Sequence, residues 1–330
     1  MTDMPGDGLA AGAFGFARVR TPHGPRIAVA TPDATFLAEH ALGSPVTSLS
    51  ELLPAWATAV DKVRRWLSGP VPAKTVPLAA GNGAVMCPVT PEHIYQAAAN
   101  YRRHVVELMV ASPRPEHREL DQAARQQVAE RLMNERAAAG VPTVFSGVVS
   151  SLSGPYDDVV IPHITRQCDW ELELAAVIGS PSRYVPRSRA LDSVAGYVIV
   201  NDLTMRDRLY PSGDSGRGAD WLACKGAPTF LPGGPVVVPA AFVSDPHDLR
   251  ITLSLNGAVM QDESTADMIY DLPRLIEHAS YCALLKPGDL LLTGSPAGNG
   301  VHHGRFLADG DVMTGSITGL GVQRTRAVAE

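Results

Sequence analysis

A chain of 330 residues and 35.0 kDa has room for one large domain with a small companion, or for two to three domains. Hydrophobic residues at 45% and charged residues at 19% support a sizeable core and exclude wholesale disorder. A net charge of −6 and a pI near 5.9 argue against nucleic acid or an anionic membrane as the main partner.

The opening "MTDMPGDGLAAGAFGF" has no basic n-region, and no stretch has the length of a transmembrane span, so a soluble, cytoplasmic protein is expected. Residues 16–38 read as short strands split by His23-Gly24-Pro25 and Thr31-Pro32-Asp33. Residues 48–69 read as a helix, with Ser48 as N-cap, Glu51 three residues on and Gly69 as the stop. These make a small α+β module, domain 1–85. The Pro/Gly-rich stretch 70–83 connects it to a larger domain, 86–330.

The larger domain reads as β-rich, giving an α+β chain overall. Strands are expected at 171–178, 195–202, 235–238, 249–255 and 288–293, and Asn256-Gly257 predicts a type I′ hairpin. Residues 112–142 are charged and helix-favouring. Leu120, Ala124, Val128 and Leu132 form an apolar stripe that ends at Gly140 and Pro142, and the segment reads equally as a lid or as a peripheral helix. Residues 265–285 read as a helix with Thr265 as N-cap and Lys286-Pro287-Gly288 as its stop. Four scattered cysteines, Cys87, Cys168, Cys224 and Cys282, form no CxxC pair and read as reduced, buried thiols.

The stretch "CDWELELAAVIGS", residues 168–180, carries a contradiction. Alternation puts Trp170, Leu172 and Leu174 on one face and Glu171 and Glu173 side by side on the other. Ala175 to Ile178 then look buried on both faces, and buried like charges repel strongly. Two readings compete: the solvent face of an edge strand, or a cation site. Oxygen ligands suit Mg²⁺, Mn²⁺ or Ca²⁺. A third carboxylate, Asp202, ends the apolar strand "VAGYVIVND" and tips the balance toward metal.

Three further features carry chemistry. In "NYRRHVVE", His104 and Glu107 share a helical face, which suits a general base but also fits a surface contact. Lys225 is the only lysine between Lys74 and Lys286; it reads as a cation for an anionic substrate or as a snorkelling surface residue. The Gly-rich end of "LLLTGSPAGNG" offers Thr293, Ser295 and backbone N–H groups to an anion, although glycine there also simply makes turns.

Taken in order, "NYRRHVVE", "DWELELAAVIG", "GYVIVNDLTMRD", "LNGAVMQDESTADMIY" and "LKPGDLLLTGSPAGNG" resemble the motif series of the fumarylacetoacetate hydrolase family, from about Thr90 to Thr318. The resemblance implies a mixed β-roll around a metal, preceded by a smaller domain, as a homodimer. It implies Mg²⁺ or Mn²⁺ on Glu171, Glu173 and Asp202, and His104 with Glu107 as the unit that activates water or shuttles a proton. Lys225 falls on the family's active-site lysine. Tyr101, Arg206, Gln261, Thr293 and Gly294 fall on substrate-side positions, and Arg206 with Asp207 reads as support for the metal ligands. The implied reaction is divalent-metal-dependent hydrolysis of a C–C bond in a 2,4-dioxo acid through a metal-bound enolate. The alternative is a lyase or isomerase acting on a related 2-oxo acid. Departures at "VFSGVVSSLSGP" (144–155), at Pro228 and in the long 112–142 segment border the pocket, and bear on substrate.

Overall fold

The strand Leu172–Ile178 is buried along its whole length because both of its faces are covered. It is central in a six-stranded mixed sheet whose order is Val238–Pro239, Val194–Asn201, Leu172–Ile178, Leu290–Leu292, Ile94–Ala97, Val144–Gly147. All neighbours are antiparallel except Leu290–Leu292 with Ile94–Ala97. The computed structural model describes residues 5–70, 83–111, 117–210 and 218–330. Most of the connection read at 70–83, and residues 112–116 of the charged segment, therefore lie outside the described residues.

One face of the central sheet contributes Leu172, Leu174, Ala176, Ile178 and Ile199 to a core shared with Ile251, Leu253, Met313 and Ile317. Those residues come from a five-stranded sheet in the order Ala258–Ser264, Arg250–Leu255, Val312–Ile317, Gly321–Ala329, Val159–Ile161. The helix Leu272–Cys282 packs into the same core through Leu272, Leu275, Ile276 and Ala279. The opposite face offers Ala175, Val177, Val198 and Val200 to Phe14, Phe16, Ile27 and Val29. All but Phe14, which directly precedes it, belong to the N-terminal antiparallel sheet Thr35–Leu37, Gly24–Ala30, Gly15–Thr21, Val85–Met86. The continuous apolar run 175–178 is thus a strand sandwiched between two layers.

Local rules set most element ends. The Ser48/Glu51 capping box is formed, but it opens a 3₁₀ turn; Pro54 follows, and the α-helix runs only over Trp56–Leu67. The second expected helix also starts later than predicted. Thr265 begins a 3₁₀ turn, and the helix starts at Leu272 behind Asp271, whose side chain accepts from Arg274 N, with Pro273 in the first turn. Asn256 and Gly257 have φ of 51° and 86° and close the hairpin, as a type I′ turn requires. The charged segment forms the helix Gln122–Ala139, capped by Asp121. Its buried positions are Ala129 and Met133, so the stripe 120/124/128/132 sits only at the margin of the contact. Three cysteines are buried free thiols, whereas Cys282, at the end of its helix, is exposed. Among the described residues, no helix is long and apolar enough to cross a membrane.

Candidate metal centre and active site

Antiparallel register assembles the acidic cluster. Leu172 pairs with Asn201, so Glu171 and Asp202 face each other at the next step, where Asp202 N donates to Glu171 O at 2.8 Å. Glu173 stands two residues along, on the same face as Glu171. One carboxylate oxygen from each of the three lies within 4.8 Å of the others, and all three residues are buried. The edge-strand reading of Glu171 and Glu173 is therefore excluded by burial.

Two cations and two neutral donors hold the cluster. Lys225 ends the short helix Trp221–Lys225, whose N-cap Asp220 accepts from Ala223 N. Its Nζ donates to Glu171 Oε2 at 2.8 Å, to Thr204 Oγ1 at 2.7 Å and to the Asp202 carbonyl at 3.0 Å, and pairs with Asp202 Oδ2 at 2.6 Å. Lys225 is buried here, not snorkelling. Arg206 bridges Glu171 and Asp169, with Nε 2.8 Å from Asp169 Oδ2. Gln96 Nε2 donates to Asp202 Oδ1 at 2.6 Å, and Gly294 N donates to Glu173 Oε2 at 2.8 Å. Asp207 takes no part in this cluster; it accepts from Thr165 Oγ1 and Arg166 N and ties down the preceding turn.

Charge sorts the carboxylates. Burial pushes Glu171 upward, but Arg206 and Lys225 outweigh it and hold the group down at about 2. Asp202 is raised to about 6 by burial, against the pull of Lys225. Glu173 is raised well above its ordinary range by burial and by the charges of Asp202 and Glu171. Three carboxylates thus face two fixed cations, and the unmatched one, Glu173, holds a proton when no further cation is bound. An all-oxygen donor set with an unmatched carboxylate fits a hard divalent cation such as Mg²⁺ or Mn²⁺, and lacks the sulfur and imidazole that zinc favours.

The remaining predicted residues fall into two groups. His104, on the helix Arg102–Ala111, is buried beside this centre, and burial drives its imidazole down to about 3. Glu107, on the same helix, does not touch it. The ring of His302 stands between them, with Nε2 3.0 Å from His104 Nδ1 and Nδ1 3.6 Å from Glu107 Oε2. Glu107 also accepts from Arg103 Nε at 2.8 Å. The other group, Thr293, Gln261 and Tyr101, is fully buried. Thr293 Oγ1 donates to the Leu174 carbonyl at 2.9 Å. Gln261 accepts from Leu172 N and donates to Ser295 Oγ and the Pro296 carbonyl.

Sequence reasoning missed Gln96, Asp169 and His302. Asp169 sits inside the quoted "DWELEL" motif and could have been marked as a further acid. It accepts from Gly300 N and Val301 N as well as from Arg206, which fixes the turn carrying His302 against the acidic cluster. A Cβ on Gly300 would come within 2.7 Å of Asp169 Oδ1, so the approach requires glycine. No local signal marks Gln96 or His302. Outside the carboxylates, Glu107, His302, Arg103 and Glu263 border a cleft of roughly 1500 Å³ between the helices Arg102–Ala111 and Gln122–Ala139 and the segment 297–303, which ends in the one-turn helix Gly300–His303. Near Lys225, Phe145 from "VFSGVV" stacks on Trp221 at 4.0 Å.

The family model described as fumarylacetoacetate (FAA) hydrolase C-terminal matches residues 93–328. The chain is 43% identical over 188 residues to a 2,4-didehydro-3-deoxy-L-rhamnonate hydrolase from Sphingomonas sp. (strain SKA58), covering 56% of this chain and 64% of that protein. This chain thus spans a little under two thirds of that relative's length. It is 32% identical over 278 residues to the mitochondrial oxaloacetate tautomerase FAHD2A of Bos taurus, covering 83% of this chain and 78% of that one. A solved fumarylacetoacetate hydrolase from Exiguobacterium antarcticum superposes with a TM-score of 0.70 at 26% identity, over 96% of this chain and all of that one (100%).

Proposed function

Because the chain belongs to the fumarylacetoacetate hydrolase family, we propose that it is a divalent-metal-dependent hydrolase of a C–C bond in a 2,4-dioxo acid. The observation that carries this reading is the buried His104 beside three carboxylates that demand a cation. Glu171, Glu173 and Asp202 hold Mg²⁺ or Mn²⁺. When bound, the cation would supply Lewis acidity to an oxo-acid substrate. Lys225 keeps positive charge beside Glu171 and Asp202, where negative charge develops as the acyl group departs. His104 is neutral and so carries the lone pair that takes a proton from an attacking water; burial weakens it as a base, and the Glu171 carboxylate pulls the other way. Arg206 holds Glu171 in place, and Gly294 N does the same for Glu173. Trp221 and Phe145, stacked next to Lys225, form an apolar wall on which the distal group of the substrate rests. In this reading the chain works as a cytoplasmic homodimer, with residues 1–85 as an accessory domain and no nucleic-acid or membrane partner; the bovine relative bears a mitochondrial name.

A second reading has support in the 32% identity to an oxaloacetate tautomerase over 83% of this chain. The same residues serve a lyase or isomerase if no water attacks, because proton transfer at His104 and charge stabilisation at the acidic cluster are common to both. A panel of 2-oxo and 2,4-dioxo acids, incubated with Mg²⁺ or Mn²⁺ and read by mass spectrometry, separates them. Hydrolysis gives two acids whose masses sum to substrate plus water. CO₂ release without a cleaved acyl acid, or loss of the enol absorbance without any mass change, overturns the hydrolase reading. If the helix Gln122–Ala139 is a lid, oxalate with Mg²⁺ slows its proteolysis; an unchanged cleavage rate leaves it a peripheral helix.

A further inference from the structure

His302 lies 198 residues from His104 in sequence, yet their ring nitrogens meet at 3.0 Å, with ring planes at 85°. A contact between two imidazole nitrogens needs one N–H and one lone pair, so it fixes two tautomers together. Two arrangements satisfy it. Either His104 Nδ1–H donates and its Nε2 is bare, or His302 Nε2–H donates and His104 carries its proton on Nε2. The Glu107 carboxylate decides between them. Its Oε2 lies 3.6 Å from His302 Nδ1, too far for a hydrogen bond but close enough to favour a proton on that nitrogen. With the proton on Nδ1, His302 Nε2 is the acceptor and His104 Nδ1 the donor.

The surroundings keep the arrangement in place. Glu107 is itself held by Arg103 Nε at 2.8 Å. The turn bearing His302 is pinned by Asp169, which accepts from Gly300 N and Val301 N, and by the bond from His302 N to the Asn299 carbonyl at 3.0 Å. Glu107 and His302 border the outer cleft, while His104 and the three carboxylates do not. His302 therefore fills the wall between the cleft and the acidic centre.

We propose that His302 is a positioning residue that transmits the charge of Glu107 to His104 and fixes His104 as its Nδ1–H tautomer, leaving Nε2 as the base. Its kinetic consequence rests on the hydrolase reading above; the tautomer does not. When His104 Nε2 takes a proton, the imidazolium that results is stabilised through His302 by Glu107, and no further group need be charged.

Long-range ¹H–¹⁵N NMR of uniformly ¹⁵N-labelled protein, with and without Mg²⁺, reads the His104 tautomer directly. The expected result is Nδ1–H in the wild type and in His302→Gln, whose side-chain oxygen accepts the same bond. In His302→Leu, and in Glu107→Gln where the charge is removed, His104 shifts toward Nε2–H. Turnover of a cleaved 2,4-dioxo acid falls about 10- to 100-fold in kcat in His302→Leu, with KM within about threefold, and His302→Gln restores most of it. Nε2–H in the wild type, or Nδ1–H unchanged in both His302→Leu and Glu107→Gln, overturns the proposal. A wild-type Nδ1–H that shifts in the variants, together with no cleaved product from any dioxo acid, overturns the hydrolase reading alone.

Discussion

Glu173→Gln separates the stability of the metal centre from its function, because the same change is expected to strengthen the metal-free fold and weaken metal binding. Oxygens of Glu173 lie within 4.8 Å of those of Glu171 and Asp202. At that separation and an effective dielectric constant near 20, each like-charged pair repels by about 3.5 kcal/mol. Lys225 and the Gly294 N–H offset part of this, and a raised Glu173 carboxyl avoids the rest by holding its proton. The sign follows from linkage. Because folding raises this carboxyl above its ordinary 4.5, its cost is absent below that pH and sets in as pH rises through it. Glutamine keeps the shape and the Gly294 bond and carries no charge. Metal-free Glu173→Gln should therefore gain about 2 kcal/mol at pH 7.5, a rise in Tm on the order of 4 °C, and gain almost nothing at pH 4.5. Isothermal titration calorimetry should show Mg²⁺ affinity at least about tenfold weaker. Calorimetric unfolding scans at the two pH values, with and without Mg²⁺, make the test. A metal-free variant less stable than the wild type at pH 7.5 would refute the repulsion argument, and undiminished Mg²⁺ affinity would remove Glu173 from the ligand set.

Lys225→Met leaves Glu171 and Asp202 without their shared ammonium and should cost the metal-free protein about 3–5 kcal/mol in chemical denaturation, part of which saturating Mg²⁺ returns. Burial lowers the His104 imidazole from 6.5 to about 3, so the unfolded chain binds a proton there below pH 6.5 while the folded one does not. Stability should thus fall by up to about 2 kcal/mol between pH 6.5 and 5, and denaturation of His104→Gln over that range should lack this component. In the hairpin, Asn256 sits at φ 51°, accepts from Val312 N at 2.9 Å and donates to Asp311 Oδ1 at 2.7 Å. Asn256→Ala should cost about 1–2 kcal/mol with no loss of Mg²⁺ affinity, measured by urea unfolding and calorimetry.

Some of this molecule is written locally. Residues 171–178 declare a strand because alternation at Glu171 and Glu173 gives way to a continuous apolar run, and both features follow from the period-2 geometry of one strand. Asp202 was legible as the polar end of a second apolar strand. Asn256-Gly257 and the Ser48/Glu51 box were legible because their chemistry spans two to four residues. The ordered motifs carried the family and with it the mixed sheet fold. The later helix starts at Trp56 and Leu272 were also written locally, in Pro54 and in Asp271-Leu272-Pro273, where the apolar pattern upstream obscured them.

Tertiary structure alone decided which polar groups meet. The alternation at 171 and 173 cannot say whether the polar face is wet or buried; that depends on what covers the sheet, and the pairing of Leu172 with Asn201 supplies the answer. Gln96 reaches Asp202 across 106 residues, Asp169 reaches Gly300 across 131, and His302 reaches His104 across 198. Spacing on one helix placed Glu107 near His104 but could not show the ring that a distant one-turn helix, Gly300–His303, inserts between them. Helical and strand periods report which face a side chain occupies; the partner on that face comes from a remote segment, and no local pattern encodes its arrival.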